Sequence, residues 1–427
     1  MDSRPRYSIA PQIGAASTSA PTPTPTPQEA RAVWVTRFDW TTAGRPADPA
    51  RLRELVDRCA DAGFNMLLFQ VRAMADAYYL SGFAPWAERV SGAGLGQPPR
   101  PFWDPLNYLI EQAHAAGLQV HAHFNVYPAA EGRPNCTSTP PTPLRPTPLF
   151  WQLAARYGQR DGVNLGLQQA ENGEVVCASY RYASPASPWV QQHLLWAAAE
   201  LAAHYALDGL HLDHVRYGAR QASADPVSLR RYHGLDEDAA LPPFHLDDAY
   251  AAWQRQQINQ LVQRFYTLLR AQPRPLWLSA AVWPIYRITP ALALPQNPSS
   301  GYRDYYQDSQ AWAQGGYIDA LMPMIYPSAY NCPDDSYWTF DIWQRLAADF
   351  QAGSGGRLII PGIGGGYCTF AEIARRIDKA RDLGVAGQAL FSYRSLFEKD
   401  YLTELRYGPY RSYAVPPTLP WRHAPGP

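Results

Sequence analysis

"LDGLHLDHVRYG", residues 207–218, puts two acids, two histidines and an arginine into twelve positions. Leu210 and Leu212 alternate with His211 and Asp213, the period of a strand whose two faces differ in character. The leucines suit a layer of helices. His211 and Asp213 then face the other way, into an interior or a cleft. A charge at the end of a buried strand is costly unless it is paired or used, so the neighbouring segments decide which applies.

Working outward from this strand, strand-like and helix-like segments alternate along the chain. Before it come strands at 31–38, 65–73 and 118–128, with helices predicted over 49–64, 104–117 and 188–206. After it come strands at 276–283, 318–326, 357–364 and 385–395, with helices over 247–272, 305–316, 340–353 and 369–384. Asp104-Pro105 opens one helix and Gly117 closes it, which are strong boundary signals. Eight strands in strict alternation with helices predict a parallel (β/α)8 TIM barrel with long loops at the C-terminal face of the strands. A doubly wound open sheet would carry a glycine-rich loop after its first strand, and the glycine cluster "GIGGGYC" follows the seventh instead. The expected organisation is a Pro/Thr-rich linker over 1–28, the barrel over 29–404, and a tail over 405–427 that is either an extended strap or loose.

Composition narrows the partners. The 427 residues carry 37 acids against 37 Lys plus Arg, so neither nucleic acid nor an anionic membrane is expected as the main partner. No apolar run is long enough for a membrane span, and the first twenty residues lack the apolar core of a signal peptide. The 27 Tyr and 14 Trp mostly serve packing, with a weak lean towards sugar rings, whose C–H faces stack on aromatics.

In a parallel barrel the site lies at the C-terminal ends of the strands. Alternation places His121, His123, Asn125 and Tyr127 on one face of the third strand, and Gln70 and Arg72 on one face of the second. Three adjacent strands thus turn polar faces inward beside Asp213. Other acids near strand ends are Asp39, Asp76, Asp304 and Asp308; the last two stand equally well as helix caps. Asp208 and Asp319 begin their strands, at the opposite end, where a stabilising role fits better. His121 and His123 admit a metal reading together with His211 and Asp213, but hydrogen bonding to sugar hydroxyls explains the same pattern and no metal or cofactor is expected. No C-x-x-C or G-x-S-x-G pattern occurs.

The chain resembles glycosyl-hydrolase-like family ten, also called domain of unknown function 187. The resemblance rests on "RAVWVTRFDW", "GFNMLLFQVRAMADAYY", "WDPLNYLIEQAHAAGLQVHAHFN", "LDGLHLDHVRYG", "DSQAWAQGGYIDALMPMIY" and "GQALFSYRSL", in order over about residues 29 to 400. It implies a (β/α)8 barrel acting on glycans, with bacterial cell-wall and extracellular polysaccharides as the substrate class. Asp208, Gly209, His211, Asp213, Arg216 and Tyr217 match the family's fourth strand. Gly218 stands where a proline is usual, and His214 where some members carry a second acid, so a second carboxylate has to come from elsewhere. The expected mechanism uses two carboxyl groups: Asp213 first, with Asp76 or Asp308 as partner and Asp39 behind them. Arg72, His121, His123, Asn125, Tyr127, His211, Arg216, Trp283, Tyr326 and Tyr393 are the expected substrate-binding residues. The alternatives are a non-catalytic glycan-binding barrel and a metal-dependent glycan deacetylase. Two disulfides are expected, Cys332 with Cys368 and Cys136 with Cys177, leaving Cys59 free. They support an extracellular or cell-envelope location.

Overall fold

The computed structural model describes residues 26–423 except Gln221, Asn297, Asn331 and 333–336. Most of the expected 1–28 linker lies outside the described residues. Eight parallel strands form the core: β1 (Ala30–Val35), β2 (Met66–Arg72), β3 (Gln119–Asn125), β4 (Gly209–Asp213), β5 (Trp277–Val282), β6 (Ala320–Pro323), β7 in two pieces (Leu358–Ile359 and Gly362–Gly364), and β8 (Gly387–Phe391). Each pairs with its neighbour in chain order, and β8 returns to β1 through Ala30 opposite Gly387. Pro361 explains the split in β7, because it has no N–H to give a ladder. The first piece pairs with β6 and the second with β8, so this one strand closes the barrel.

The helices α1 (Pro49–Asp61), α2 (Pro105–Ala115), α3 (Pro188–His204), α4 (Asp248–Arg270), α5 (Ser309–Gln314), α6 (Phe340–Ala352) and α7 (Phe370–Asp382) alternate with the strands. The first three start alike: a proline in the first turn and an Asp48, Asp104 or Ser187 side chain accepting a backbone N–H there. An eighth helix, α8 (Tyr401–Tyr407), follows β8 and crosses the expected boundary at 404. The sequence stretch is short and Tyr-rich, but Leu402 and Leu405 bury its inner side.

Inside the barrel, small and large side chains alternate: Ala30, Ala32, Ala281, Ala320 and Ala389 with Trp34, Met66, Leu68 and Met322. Val33, Val35, Leu67, Phe69, Leu210 and Leu212 face the helices instead. The tail is a strap. Val415 bridges to Pro27 and Glu29, Leu419 packs into the inner cluster from below, and Trp421 and Arg422 bond Asp319. Asp319 and Asp208 thus serve the N-terminal end of the strands, Asp208 by accepting from the Val120 amide and His114. Cys136–Cys177 and Cys332–Cys368 are both bonded and Cys59 is free and buried.

Candidate active site

Asp213 ends β4 with its side chain 15% exposed, the one partly open acid of the inward strand faces. One carboxylate oxygen, Oδ1, accepts from the His214 amide at 2.6 Å and lies 3.3 Å from Arg216 Nη1. The other, Oδ2, is 3.2 Å from His123 Nε2. Burial by itself raises the Asp213 pKa, but His214, His123 and Arg216 more than offset it, and the carboxyl sits well below its ordinary range. His214 is itself driven down to about 3 by burial. Its Nδ1 accepts from Tyr182 Oη and Arg216 Nη2. At neutral pH His214 is therefore uncharged, and the fixed positive charge beside Asp213 is Arg216.

His214 reaches this position because the chain turns sharply after the strand: its φ is +49°, in the left-handed region. The side chain is thereby folded back beside Asp213. Beneath Asp213, His211 is fully buried and held on both nitrogens. The Trp34 indole can only donate, so the 3.0 Å contact fixes His211 Nε2 as acceptor. Nδ1–H then donates to Ser279 Oγ at 2.9 Å, and burial keeps the ring neutral. Lower still, His121 is packed on Trp277 and over Gly209, where a Cβ would come within 2.4 Å of its Nδ1. That approach explains the glycine of the "DGLH" stretch. His121 and His123 share a face but point at different partners, Gln119 and Asp213. Among the described residues no group of three or more His, Cys, Asp or Glu converges to hold a metal ion.

Aromatic walls stand around the carboxylate. Tyr326 stacks on Phe391 with ring centres 5.0 Å apart, and both meet Trp34 edge-on. Trp283 lies on Tyr305 at 4.1 Å, with the Arg216 guanidinium 5.7 Å from the Trp283 ring. Tyr180 packs on His214 and meets Arg37, which also bonds Gln70 Oε1. These half-buried rings and donors can hold a sugar by C–H stacking and hydrogen bonds.

Of the expected residues, the structure brings His123, Arg216, Trp283 and Tyr326 around Asp213, with His211 beneath. Asn125 sits opposite Asp213 in register, with its Oδ1 unpartnered and its Nδ2 on the Ala73 carbonyl. Arg72 requires correction. A register shift between Gln70 and Arg72 pairs Arg72 with Phe124, on the helix-facing side. Arg72 is buried over the Phe124 ring with Nε on the Asn125 carbonyl, and Gln70 takes the inward place. Tyr127 lies beyond the strand in the closed apolar layer, and His121 is too deep to meet a ligand in the cleft. Tyr393 is also corrected: the chain turns into a helix at Ser392, so Tyr393 stacks on Phe397 against α1 and Phe391 faces the cleft.

The expected partner acids do not join Asp213. Asp76 accepts the Ala73 and Met74 amides in a tight turn. Asp308 heads α5 without capping it and accepts from Tyr286 Oη at 2.6 Å. Asp39 accepts the Arg394 amide and closes a capping box with Thr36; burial raises its pKa to about 6. The sequence reading put Gln70 on the inward face without giving it a role, and it missed Trp34, Arg37, Tyr180, Tyr182, His214 and Phe391. Parity along β1 and β8 could have found Trp34 and Phe391. The two tyrosines belong to a long loop and left no periodic signal.

The family model for "Glycosyl hydrolase-like 10" matches residues 29–345. "Glycosyl hydrolase YngK" of Bacillus subtilis is 26% identical over 97% of this chain and 79% of its own length. "Glycosyl hydrolase DigH" of Escherichia coli K12 is 26% identical over 70% of this chain and 66% of its own. Among solved structures, the PgaB (BpsB) glycoside hydrolase domain from Bordetella bronchiseptica aligns over 88% of this chain and 98% of that one, with a TM-score of 0.59 at 16% identity. An alpha-L-fucosidase from Paenibacillus thiaminolyticus aligns with a TM-score of 0.54 at 14% identity, over 90% of this chain and 49% of that one. Both structures share the barrel fold with it, and the chain belongs to the glycosyl hydrolase-like 10 family.

Proposed function

We propose that this protein is a glycoside hydrolase that cleaves a bacterial cell-wall or extracellular polysaccharide, with Asp213 as its ionised catalytic carboxylate. One observation carries the reading: an acid held ionised at the end of β4, walled by stacked aromatic rings at the face where barrels of this kind act. A depressed pKa suits a group that must be negative when an oxocarbenium-like charge develops on the sugar. His123 and Arg216 orient it. Trp283, Tyr326 and Phe391 offer faces for the rings on either side of the scissile bond.

The proton donor needs the opposite tuning. Asp39, raised to about 6 by burial, has it, but its carboxylate is held by the Thr36 and Arg394 amides and does not join Asp213. Two disulfides in the loops favour an oxidising compartment outside the cytoplasm. The second reading, a non-catalytic glycan-binding barrel, is favoured by the engagement of Asp76 and Asp308 with other groups. A reducing-end assay over a panel of bacterial polysaccharides, with and without chelator, separates the possibilities. New reducing ends that persist in chelator are expected. Binding without new ends would support the second reading, and release of acetate without new ends, lost on chelation and restored by zinc, would support a metal-dependent deacetylase.

A further inference from the structure

Away from Asp213, the outer wall carries a groove of about 980 Å³ bounded by the helices Leu149–Tyr157 and Pro226–His233 and by α3. It runs into a second hollow of about 490 Å³ between α3 and α4, the two sharing Gln192 and Arg264. Four guanidiniums line the first part beside the carboxylates of Glu237 and Asp238, and three of the four bond no carboxylate among the described residues. Arg230 bonds the Ala239 carbonyl, Arg231 the Ala186 carbonyl and Gln257, and Arg264 the side chains of Gln191 and Gln192. Arg156 is spent on Glu237 at 2.9 Å. Two indoles complete the surface. Trp189 lines the first hollow with its Nε1 buried and without a protein partner, and Trp196, 40% exposed, lines the second.

Cations free of carboxylates attract anions, and guanidiniums pair with carboxylates in two-point contacts. Indole faces recognise the C–H faces of sugar rings rather than charge. Both occur along one groove that starts at the N-termini of α3 and the helix Pro226–His233, the end of the barrel that bears Asp213. We infer that this groove is a second carbohydrate site, which holds an acidic polysaccharide by its carboxylates. This deepens the glycan-cleaving reading and rests on it for the ligand class. A polymer held there would keep the enzyme on its substrate between cleavages.

The test is native affinity electrophoresis of the full chain in gels containing polygalacturonate, with dextran as neutral control and polyphosphate as a sugar-free polyanion. The wild-type protein should be retarded by polygalacturonate, less so as salt rises. The combined variant Arg230→Gln/Arg231→Gln/Arg264→Gln should weaken this by at least ~10-fold, the scale for losing several exposed charge-assisted bonds. Trp196→Ala, compared at equal folded fraction by circular dichroism because the ring also packs on Phe83 and Trp189, should weaken retention by polygalacturonate and not by polyphosphate. Asp213→Asn should bind as wild type does, so failure of the catalytic assignment leaves this result untouched. Wild-type mobility unaffected by polygalacturonate overturns the inference. So does retention unchanged in the combined variant, or equal retention by polyphosphate that Trp196→Ala does not separate.

Discussion

Asp213→Asn is the substitution that bears most directly on the site. Asparagine keeps the size, and its Oδ1 still accepts the His214 amide. What goes is the charge, and with it the charge-assisted contacts to His123 Nε2 and Arg216 Nη1. Such bonds are worth about 1.5–3 kcal/mol each, but removing a desolvated charge gives part of that back, so the net loss of stability is about 1–3 kcal/mol. A domain of this size tolerates that at room temperature. Turnover is another matter. A group acting mainly on the transition state is worth ~100-fold or more, about 2.7 kcal/mol of barrier. The expected result is a folded protein, shown by its circular dichroism and melting transition, that releases reducing ends at most ~1% as fast as wild type. Glycan affinity should change little, since stacking on Trp283, Tyr326 and Phe391 is untouched. Near-normal turnover refutes the catalytic role, and a variant that cannot fold makes Asp213 a structural ion-pair partner. The stability difference between the two proteins also has a definite pH dependence. The folded pKa lies below the unfolded value, so the contribution of Asp213 is present above the ordinary Asp range and is lost as pH falls towards the folded value.

Asp39 works in the reverse direction. Its folded pKa of about 6 exceeds the unfolded value, so its contribution to stability is full in acid and is lost as pH rises through 6. Denaturant midpoints of Asp39→Asn should rise relative to wild type between pH 4 and pH 7, and parallel curves would contradict the buried placement. Arg72→Met should keep turnover within ~3-fold, because Arg72 faces the helices and two of its nitrogens lack partners, whereas Gln70→Ala should raise KM; the opposite order would put Arg72 back in the cleft. Reduction of Cys136–Cys177 and Cys332–Cys368, which span 41 and 36 residues, should cost about 4 kcal/mol each by loop-closure entropy. Non-reducing peptide mapping should find those two pairs and Cys59 as a free thiol.

Much of this architecture is legible in sequence because a barrel strand obeys a two-residue period. Leu210 and Leu212 against His211 and Asp213 sufficed to place four side chains correctly. The same arithmetic failed at Arg72, where a single bulge reverses parity, and at Tyr393, where the strand has already ended. Tyr180 and Tyr182 arrive from a short antiparallel ribbon between Pro128–Glu131 and Tyr180–Tyr182, far along the loop after β3, and no local pattern announces such a meeting. The acids were over-read for a related reason: a carboxylate near a strand end serves turns and caps as readily as chemistry. Asp76 and Asp308 differ from Asp213 only in the groups that fold against them.

The strap beneath the barrel also governs how this molecule can be attached to anything else. Pro27 and Val415 meet at the N-terminal ends of the strands, and Trp421 and Arg422 are fastened there to Asp319. Both ends of the described chain therefore leave from the side opposite Asp213. A label fused directly at Thr26 or Arg422 would start behind the barrel, away from the mouth. Cutting the chain before Leu419 would remove the stopper from its floor and strip the buried Asp319 of Trp421 and Arg422.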